Sequence, residues 1–208
     1  MADVLSGRDA AQAWKSHIRK EVAGRLAQGK RAPHLAAILV GEDPASQAYV
    51  RGKVRDCEEV GYESTLIALS ERTTQAELLK HVAALNQNPQ VDGFIVQLPL
   101  PKHLQPDEVL LAIDPQKDVD GFHPENVGRM ALGLPTYLPA TPYGMLLLLE
   151  HYGISPAGKH AVVVGRSNIV GSPMSILLSR NSKMGNATVT LAHSQTANLT
   201  ELCQSADI

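Results

Sequence analysis

Val162-Val163-Val164-Gly165-Arg166-Ser167-Asn168-Ile169-Val170-Gly171 is the stretch on which the fold turns. An apolar, β-branched run meets a glycine and passes into a helical pattern, which is one half of a βα unit. That context suits a pyrophosphate, because the free N–H groups and the dipole of a helix N-terminus both favour an anion. Gly165 lets the backbone approach a ligand closely, and Gly171 lets the helix pack tightly on the strand. Ser167 replaces the second glycine of G-x-G-x-x-G, so the segment admits a dinucleotide site or an ordinary βα turn. Arg166 can pair with a ribose 2′-phosphate, which favours NADP over NAD, and is also readable as a solvated charge. After the next strand, His193 and Ser194 stand where NAD enzymes often carry an acid. A hydroxyl there tolerates a phosphate that a carboxylate would repel.

Outward from this segment, apolar runs alternate with amphipathic ones, an α/β pattern. Trp14, Ile18, Val22 and Leu26 mark an opening helix, and Leu35–Val40 reads as a buried strand ended by Gly41. Asp43-Pro44 supplies an N-cap and a first-turn proline for a helix that Gly61 ends after Val60. Tyr62–Leu69 reads as a strand. Thr74 and Glu77 form a capping box ahead of Leu78, Val82 and Leu85. Val91–Leu98 is a third strand, cut short by Pro99 and Pro101, and Pro106–Ile113 is a short helix. Asp114–Pro142 is rich in Pro, Gly and Asp, and a domain junction falls at its end, dividing residues 1–139 from 140–208. Beyond it lie a helix from Thr141 to about Tyr152, the strand Ala161–Val164, a helix Ile169–Leu178, the strand Ala187–Ala192 and a helix Thr196–Cys203. Ala206-Asp207-Ile208 reads as a strand just starting, so the nucleotide-binding domain is expected to be incomplete at its C-terminal end. No internal repeat is visible.

The composition fits a globular domain, with 44% hydrophobic and 19% charged residues in 208. A net charge of −2 gives no global field for nucleic acid or an anionic membrane. No apolar run is long enough to span a bilayer, and Met1–Arg8 lacks the pattern of a signal peptide. Cys57 and Cys203 read as small buried hydrophobes rather than a disulfide, which fits the cytoplasm.

Polar residues in the first half form a candidate site. Tyr49 and Lys53 share a helix face. Tyr-x-x-x-Lys also occurs in short-chain dehydrogenases, but there it follows the glycine motif, whereas here it precedes it, so that match is rejected. Alone, the pair is also readable as a surface pair. Gln97 ends an apolar strand beside a proline turn, where α/β proteins place ligand contacts or simply cap a loop. Asp118 and Asp120 lack the further ligands a hard metal needs, so no metal is expected, and Asx-turn chemistry is the plain alternative.

Ser46-Gln47-Ala48-Tyr49-Val50-Arg51-Gly52-Lys53, Val96-Gln97-Leu98-Pro99-Leu100-Pro101, Lys117-Asp118-Val119-Asp120-Gly121, Pro139-Ala140-Thr141-Pro142 and Val164–Gly171, in this order, resemble the bifunctional methylenetetrahydrofolate dehydrogenase/methenyltetrahydrofolate cyclohydrolase family. The resemblance covers nearly the whole chain. It implies two α/β domains flanking a cleft, a folate-binding catalytic domain and a Rossmann-like NADP-binding one. It also implies a homodimer that acts in one-carbon metabolism and purine biosynthesis. The implied activity is oxidation of 5,10-methylenetetrahydrofolate with NADP and hydrolysis of the methenyl product to 10-formyltetrahydrofolate. Hydride transfer demands geometry above all, because the folate nitrogens stabilise the cation that forms. Hydrolysis needs proton management, and Lys53 matches the family's key lysine. Gln97 matches the residue that orients it, Tyr49 the tyrosine lining the folate site, and Asp120 the acid that anchors the pterin. Gly165, Arg166, Ser167 and Ser194 match the NADP end. Ser172 and Ala140 depart from the family pattern, which often has Lys and Cys there, at positions that carry no chemistry. Retention of Lys53 and Gln97 argues against a monofunctional dehydrogenase. The Tyr49/Lys53, Gln97 and Asp120 set argues against a shikimate-dehydrogenase-like enzyme of the same architecture. A catalytically dead scaffold rests on the chain's end alone.

Overall fold

A computed structural model describes residues 4–208, and the part of the leader reading that falls on Met1–Asp3 lies outside them. The chain forms two compact units. One is Ala11–Val119. The other is Asp120–Ile208 together with the N-terminal residues up to Ala10.

In the first unit, helix α1 (Gly7–Ala27), whose first turn up to Ala10 is grouped with the other unit, leads to strand β1 (His34–Val40), helix α2 (Pro44–Val60), strand β2 (Glu63–Leu69), helix α3 (Gln75–Gln87), strand β3 (Gly93–Val96) and helix α4 (Pro106–Ala112). The strands are parallel in the order β2-β1-β3. Alternation along them divides the core in two. Ala36, Ile38, Val40, Phe94 and Val96 meet Leu78, Val82 and Leu85 of α3 and Val109 of α4. Ala37, Leu39 and Ile95 meet Val50 and Val54 of α2 on the other face. Both long caps stand as their residues predict. The Asp43 carboxylate accepts from Ser46 N at 2.7 Å, and Gly61 ends α2 at φ +85°. Thr74 and Glu77 close a capping box on α3. The third strand is shorter than Val91–Leu98, because the ladder gives way to the turn at Pro99.

The second unit contains α5 (Pro124–Ala131), α6 (Ala140–His151), β4 (His160–Val164), α7 (Gly171–Ser179), β5 (Thr188–Ala192) and α8 (Leu199–Gln204), with β4 and β5 parallel. Its core joins Met130, Leu146, Ala161, Met174, Leu177 and Leu178. Helix α5 lies inside the stretch expected to be a junction. His123 caps it, its Nδ1 accepting from Glu125 N at 3.1 Å, and it buries Asn126 and Met130. Helix α7 begins at Gly171 rather than Ile169, because Ser167 Oγ takes Val170 N and Gly171 N at 3.2 and 3.3 Å and holds the preceding turn. Helix α8 begins at Leu199 rather than Thr196, because Thr196 closes a turn onto His193 at 2.8 and 2.9 Å. Cys57 is buried, but Cys203 is exposed, a correction to its reading as core: it lies on α8, which has no buried residue. Ala206–Ile208 is not an assigned strand. It nevertheless pairs with β4, through Asp207 N to His160 O at 2.8 Å and Val162 N to Ile208 O at 2.9 Å.

No repeat is visible in the sequence, yet the units share a device at the start of their first strand. His34 donates its backbone N–H to Asp92 Oδ2 at 2.8 Å, and its ring joins Gln90 O at 3.1 Å to Thr65 Oγ1 at 2.9 Å. His160 donates to Asp207 Oδ2 at 2.8 Å, and its ring joins Ser205 O at 3.2 Å to Thr190 Oγ1 at 2.9 Å. Asp92 N and Asp207 N each return a bond to the histidine's carbonyl. In both, the threonine stands two residues beyond the strand partner of the histidine. Each carbonyl accepts from Nδ1–H, so Nε2 is the ring atom that meets the threonine hydroxyl.

Candidate functional site

The expected residues of the first unit lie on α2 and directly after β3. Val50, buried on the sheet side of α2, fixes the helix rotation, which leaves Tyr49 68% exposed and Lys53 half-buried one turn further on. Gln97 directly follows β3. Its backbone N–H extends the pairing to Ile38 O at 2.9 Å, and its amide nitrogen donates to Leu98 O at 2.6 Å. Tyr49 and Lys53 therefore share one helix face, and Gln97 lies at the carboxyl end of a strand, where open α/β sheets place ligands.

The acidic motif is held in two ways. Asp118 is 2% exposed and bridges to Phe94 of β3. A Cβ on Gly93 would collide with Val119, so a glycine is required for the motif to lie against the strand. Asp120 is half-buried and begins the second unit. Gly121 follows at φ +70°, with its missing Cβ directed at Leu138 C, 2.6 Å away, and Pro139 N, 2.7 Å away. The bare motif hid this requirement, because the atoms that impose it come from a separate segment.

Strand β4 is followed by Gly165, whose N–H donates to Ala192 O at 2.8 Å and whose φ is +118°. Nothing lies within 4 Å of where its Cβ would stand. Gly171 is the opposite case: a Cβ would strike the Gly165 carbonyl, so α7 touches the turn through bare backbone. Arg166 and Ser194 are exposed, and Ser172 Oγ donates to Arg166 O at 3.3 Å. This open glycine turn against a helix N-terminus, with a guanidinium and neutral hydroxyls around it, fits a phosphorylated dinucleotide. A groove of about 650 Å³ beside α1, lined by residues including His17, Lys20, Arg25 and Lys30, contains none of the expected site residues. Among the described residues no helix is long and apolar enough to cross a membrane.

Two family models match the chain. Residues 5–120 match the tetrahydrofolate dehydrogenase/cyclohydrolase catalytic domain, and residues 139–208 its NAD(P)-binding domain. Curated relatives include the bifunctional protein FolD of Flavobacterium psychrophilum, 55% identical over 205 residues, which are 99% of this chain and 70% of the relative. That of Cytophaga hutchinsonii is also 55% identical, over 99% of this chain and 71% of the relative. Among solved structures, the bifunctional FolD dehydrogenase/cyclohydrolase of Campylobacter jejuni superposes with a TM-score of 0.93 at 43% identity, covering 99% of this chain and 71% of that one. The Trypanosoma brucei enzyme, complexed with NADP cofactor and inhibitor, gives 0.91 at 33% identity, covering 99% and 70%.

Proposed function

Since the chain belongs to the tetrahydrofolate dehydrogenase/cyclohydrolase family, we propose that Lys53, Gln97, Tyr49 and Asp120 serve the folate, and Gly165, Arg166, Ser167 and Ser194 serve NADP. The protein oxidises 5,10-methylenetetrahydrofolate and hydrolyses the methenyl product to 10-formyltetrahydrofolate, in one-carbon metabolism. The observation that carries the dehydrogenase half is the seat of α7 on the Gly165 turn through Gly171. NADP, when bound, supplies the hydride acceptor.

The chain's own groups divide the remaining work. Gly165 leaves room for a pyrophosphate at the turn, α7 presents its N-terminus to it, and Arg166 meets the 2′-phosphate. Tyr49, exposed on α2, offers an aromatic face and a hydroxyl to the folate. Asp120 accepts from the amino-pyrimidinone N–H edge. Lys53 takes the proton from the attacking water and returns one to the ring nitrogen as the ring opens, with Gln97 orienting it. The division into a folate-binding domain, residues 1–139, and a nucleotide-binding one, 140–208, is supported by family models that match 5–120 and 139–208, while the compact units group the residues from Asp120 onward, α5 included, with the nucleotide-binding part. A cytoplasmic location and a homodimer complete the proposal on the same resemblance.

Replacing Lys53 by Met tests the assignment. Hydrolysis, followed by loss of methenyl absorbance, should fall by about 10²-fold or more, while NADP affinity stays as in the parent. Undiminished hydrolysis in Lys53→Met would refute the role given to this lysine.

A further inference from the structure

We propose that Lys117 is a positioning residue for Asp120, acting by tying the acidic motif to the C-terminal end of α3. The inference rests on the reading of Asp120 as the folate anchor. The Lys117 ammonium donates to Leu85 O at 2.8 Å and to Asn88 O at 2.7 Å. These carbonyls lie in the last turn of α3 and at its C-cap, where the helix dipole favours a cation; each also accepts a backbone N–H, Leu85 O from Asn88 at 3.3 Å and Asn88 O from Val91 at 3.2 Å. Along the backbone, Lys117 N donates to Asp114 O at 2.7 Å, and Lys117 O accepts from Phe94 N at 2.9 Å, adding a rung beside β3. Two residues on, Val119 packs against Gly93 so closely that no Cβ would fit there. Lys117 thus joins three elements at one point: the end of α3, the start of β3 and the motif itself.

Asp120 is the next residue but two, and Gly121 beyond it is pressed against the Leu138–Pro139 backbone. The carboxylate is therefore held between two fixed neighbours. Its two oxygens must face a planar edge of donors, a match that tolerates a displacement of only about 0.5 Å. Without the ammonium, the 114–119 segment keeps its strand-side bonds and, at its start, the bond from Asp114 N to Asn86 Oδ1 of α3 at 2.9 Å, but loses the hold on α3 made three residues before Asp120. The motif then shifts or gains freedom, and the carboxylate with it. Asp118 is buried in the same segment, so the motif carries one acid inward and delivers the other to a half-buried position.

The test measures affinity for 5-formyltetrahydrofolate and, separately, for NADP, by calorimetric titration of the full chain. The variants are Lys117→Met, Lys117→Arg, Asp120→Ala and the double variant Lys117→Met/Asp120→Ala. Lys117→Met should weaken folate binding about tenfold and leave NADP binding as in the parent. Lys117→Arg, which keeps donors for both carbonyls, should recover most of the loss. In the Asp120→Ala background Lys117→Met should cost nothing more, because its effect passes through that carboxylate. An equal loss in both backgrounds, or a parallel loss of NADP binding, would overturn the inference and mark Lys117 as a general support. If Asp120→Ala weakens folate binding and Lys117→Met does not, the inference alone falls. If Asp120→Ala leaves folate binding intact, the reading of Asp120 falls and takes the inference with it.

Discussion

Gly171→Ala should damage the nucleotide end by displacing a helix. A Cβ at position 171 would overlap the Gly165 carbonyl oxygen, lie 2.5 Å from its carbon and 2.9 Å from Arg166 N. Carbon atoms in good contact are about 3.5 Å apart, so α7 must retreat by roughly 1 Å. All three atoms are backbone, and none can swing aside as a long side chain would. Overpacking of this kind costs about 1–3 kcal/mol. For a unit of this size that lowers Tm by roughly 5–15 °C. The same retreat draws the helix N-terminus away from the pyrophosphate, and NADP affinity should fall by about tenfold or more. Thermal melting and NADP titration of the same preparation read both effects.

Two other glycines separate the cause from glycine loss in general. Gly144 on α6 has nothing within 4 Å of its missing Cβ, so Gly144→Ala should stabilise by about 0.4–1 kcal/mol through the unfolded state and leave NADP binding alone. Gly165 also has open space but stands at φ +118°, so Gly165→Ala should cost about 1–3 kcal/mol through backbone conformation with no clash. A Gly171→Ala protein that melts and binds NADP like its parent would refute the argument.

Three further outcomes follow from single groups. Ser167→Asp should abolish most NADP binding, because a fixed carboxylate then faces the phosphates; retained affinity in a direct titration would count against this turn as the phosphate site. His34→Ala and His160→Ala should each cost about 1–2 kcal/mol in urea unfolding, since each leaves a threonine hydroxyl and a carbonyl without the ring between them, and a marked inequality would show that the two devices are not equivalent. The Arg31 guanidinium, bonded to both Asp92 oxygens at 2.6 and 2.8 Å, holds that carboxyl below its ordinary range, helped by His34 N. The folded carboxyl releases its proton more readily than the unfolded one, so this stabilisation is complete above about pH 4 and is lost as pH falls through the folded value. Asp92→Asn should flatten the acid limb of the urea midpoint, and an unchanged acid limb in that variant would rule Asp92 out as its source.

What the sequence disclosed depended on how far the deciding partner lies along the chain. Asp43, Pro44 and Gly61 bound α2, and Thr74 with Glu77 starts α3, because caps act within one turn. Helix α5 escaped because it is short and buries only Asn126 and Met130, too few positions to set a period. The starts of α7 and α8 came too early because Ser167 and Thr196 are spent on turns, a choice that propensity alone does not reveal. The histidine devices were invisible because their partners lie 31 to 58 residues from His34 and 30 to 47 from His160. The candidate site followed the same rule. Gly171 was legible beside its own motif. The reach of Lys117 to carbonyls 29 and 32 residues earlier was not.

The two units also explain why one glycine turn suits an anion and its counterpart does not. Gly41 follows β1 and donates to Leu69 O at 2.9 Å, as Gly165 follows β4 and donates to Ala192 O at 2.8 Å. Two residues beyond each glycine, a side-chain oxygen accepts backbone N–H groups near the start of the next helix, from Ser46 in the first turn of α2 and from Val170 and Gly171 where the turn before α7 closes. In the first unit it is the Asp43 carboxylate, whose pKa is held down by the Ser46 N–H. In the second it is the Ser167 hydroxyl. A charged cap answers the helix dipole from within and, with Glu42 beside it, repels a phosphate. A neutral hydroxyl that holds the turn before α7 leaves the dipole unanswered, and Arg166 adds positive charge next to it. One backbone plan therefore yields a closed helix end in one unit and an open one in the other, and the difference rests on a single atom type two residues after a glycine.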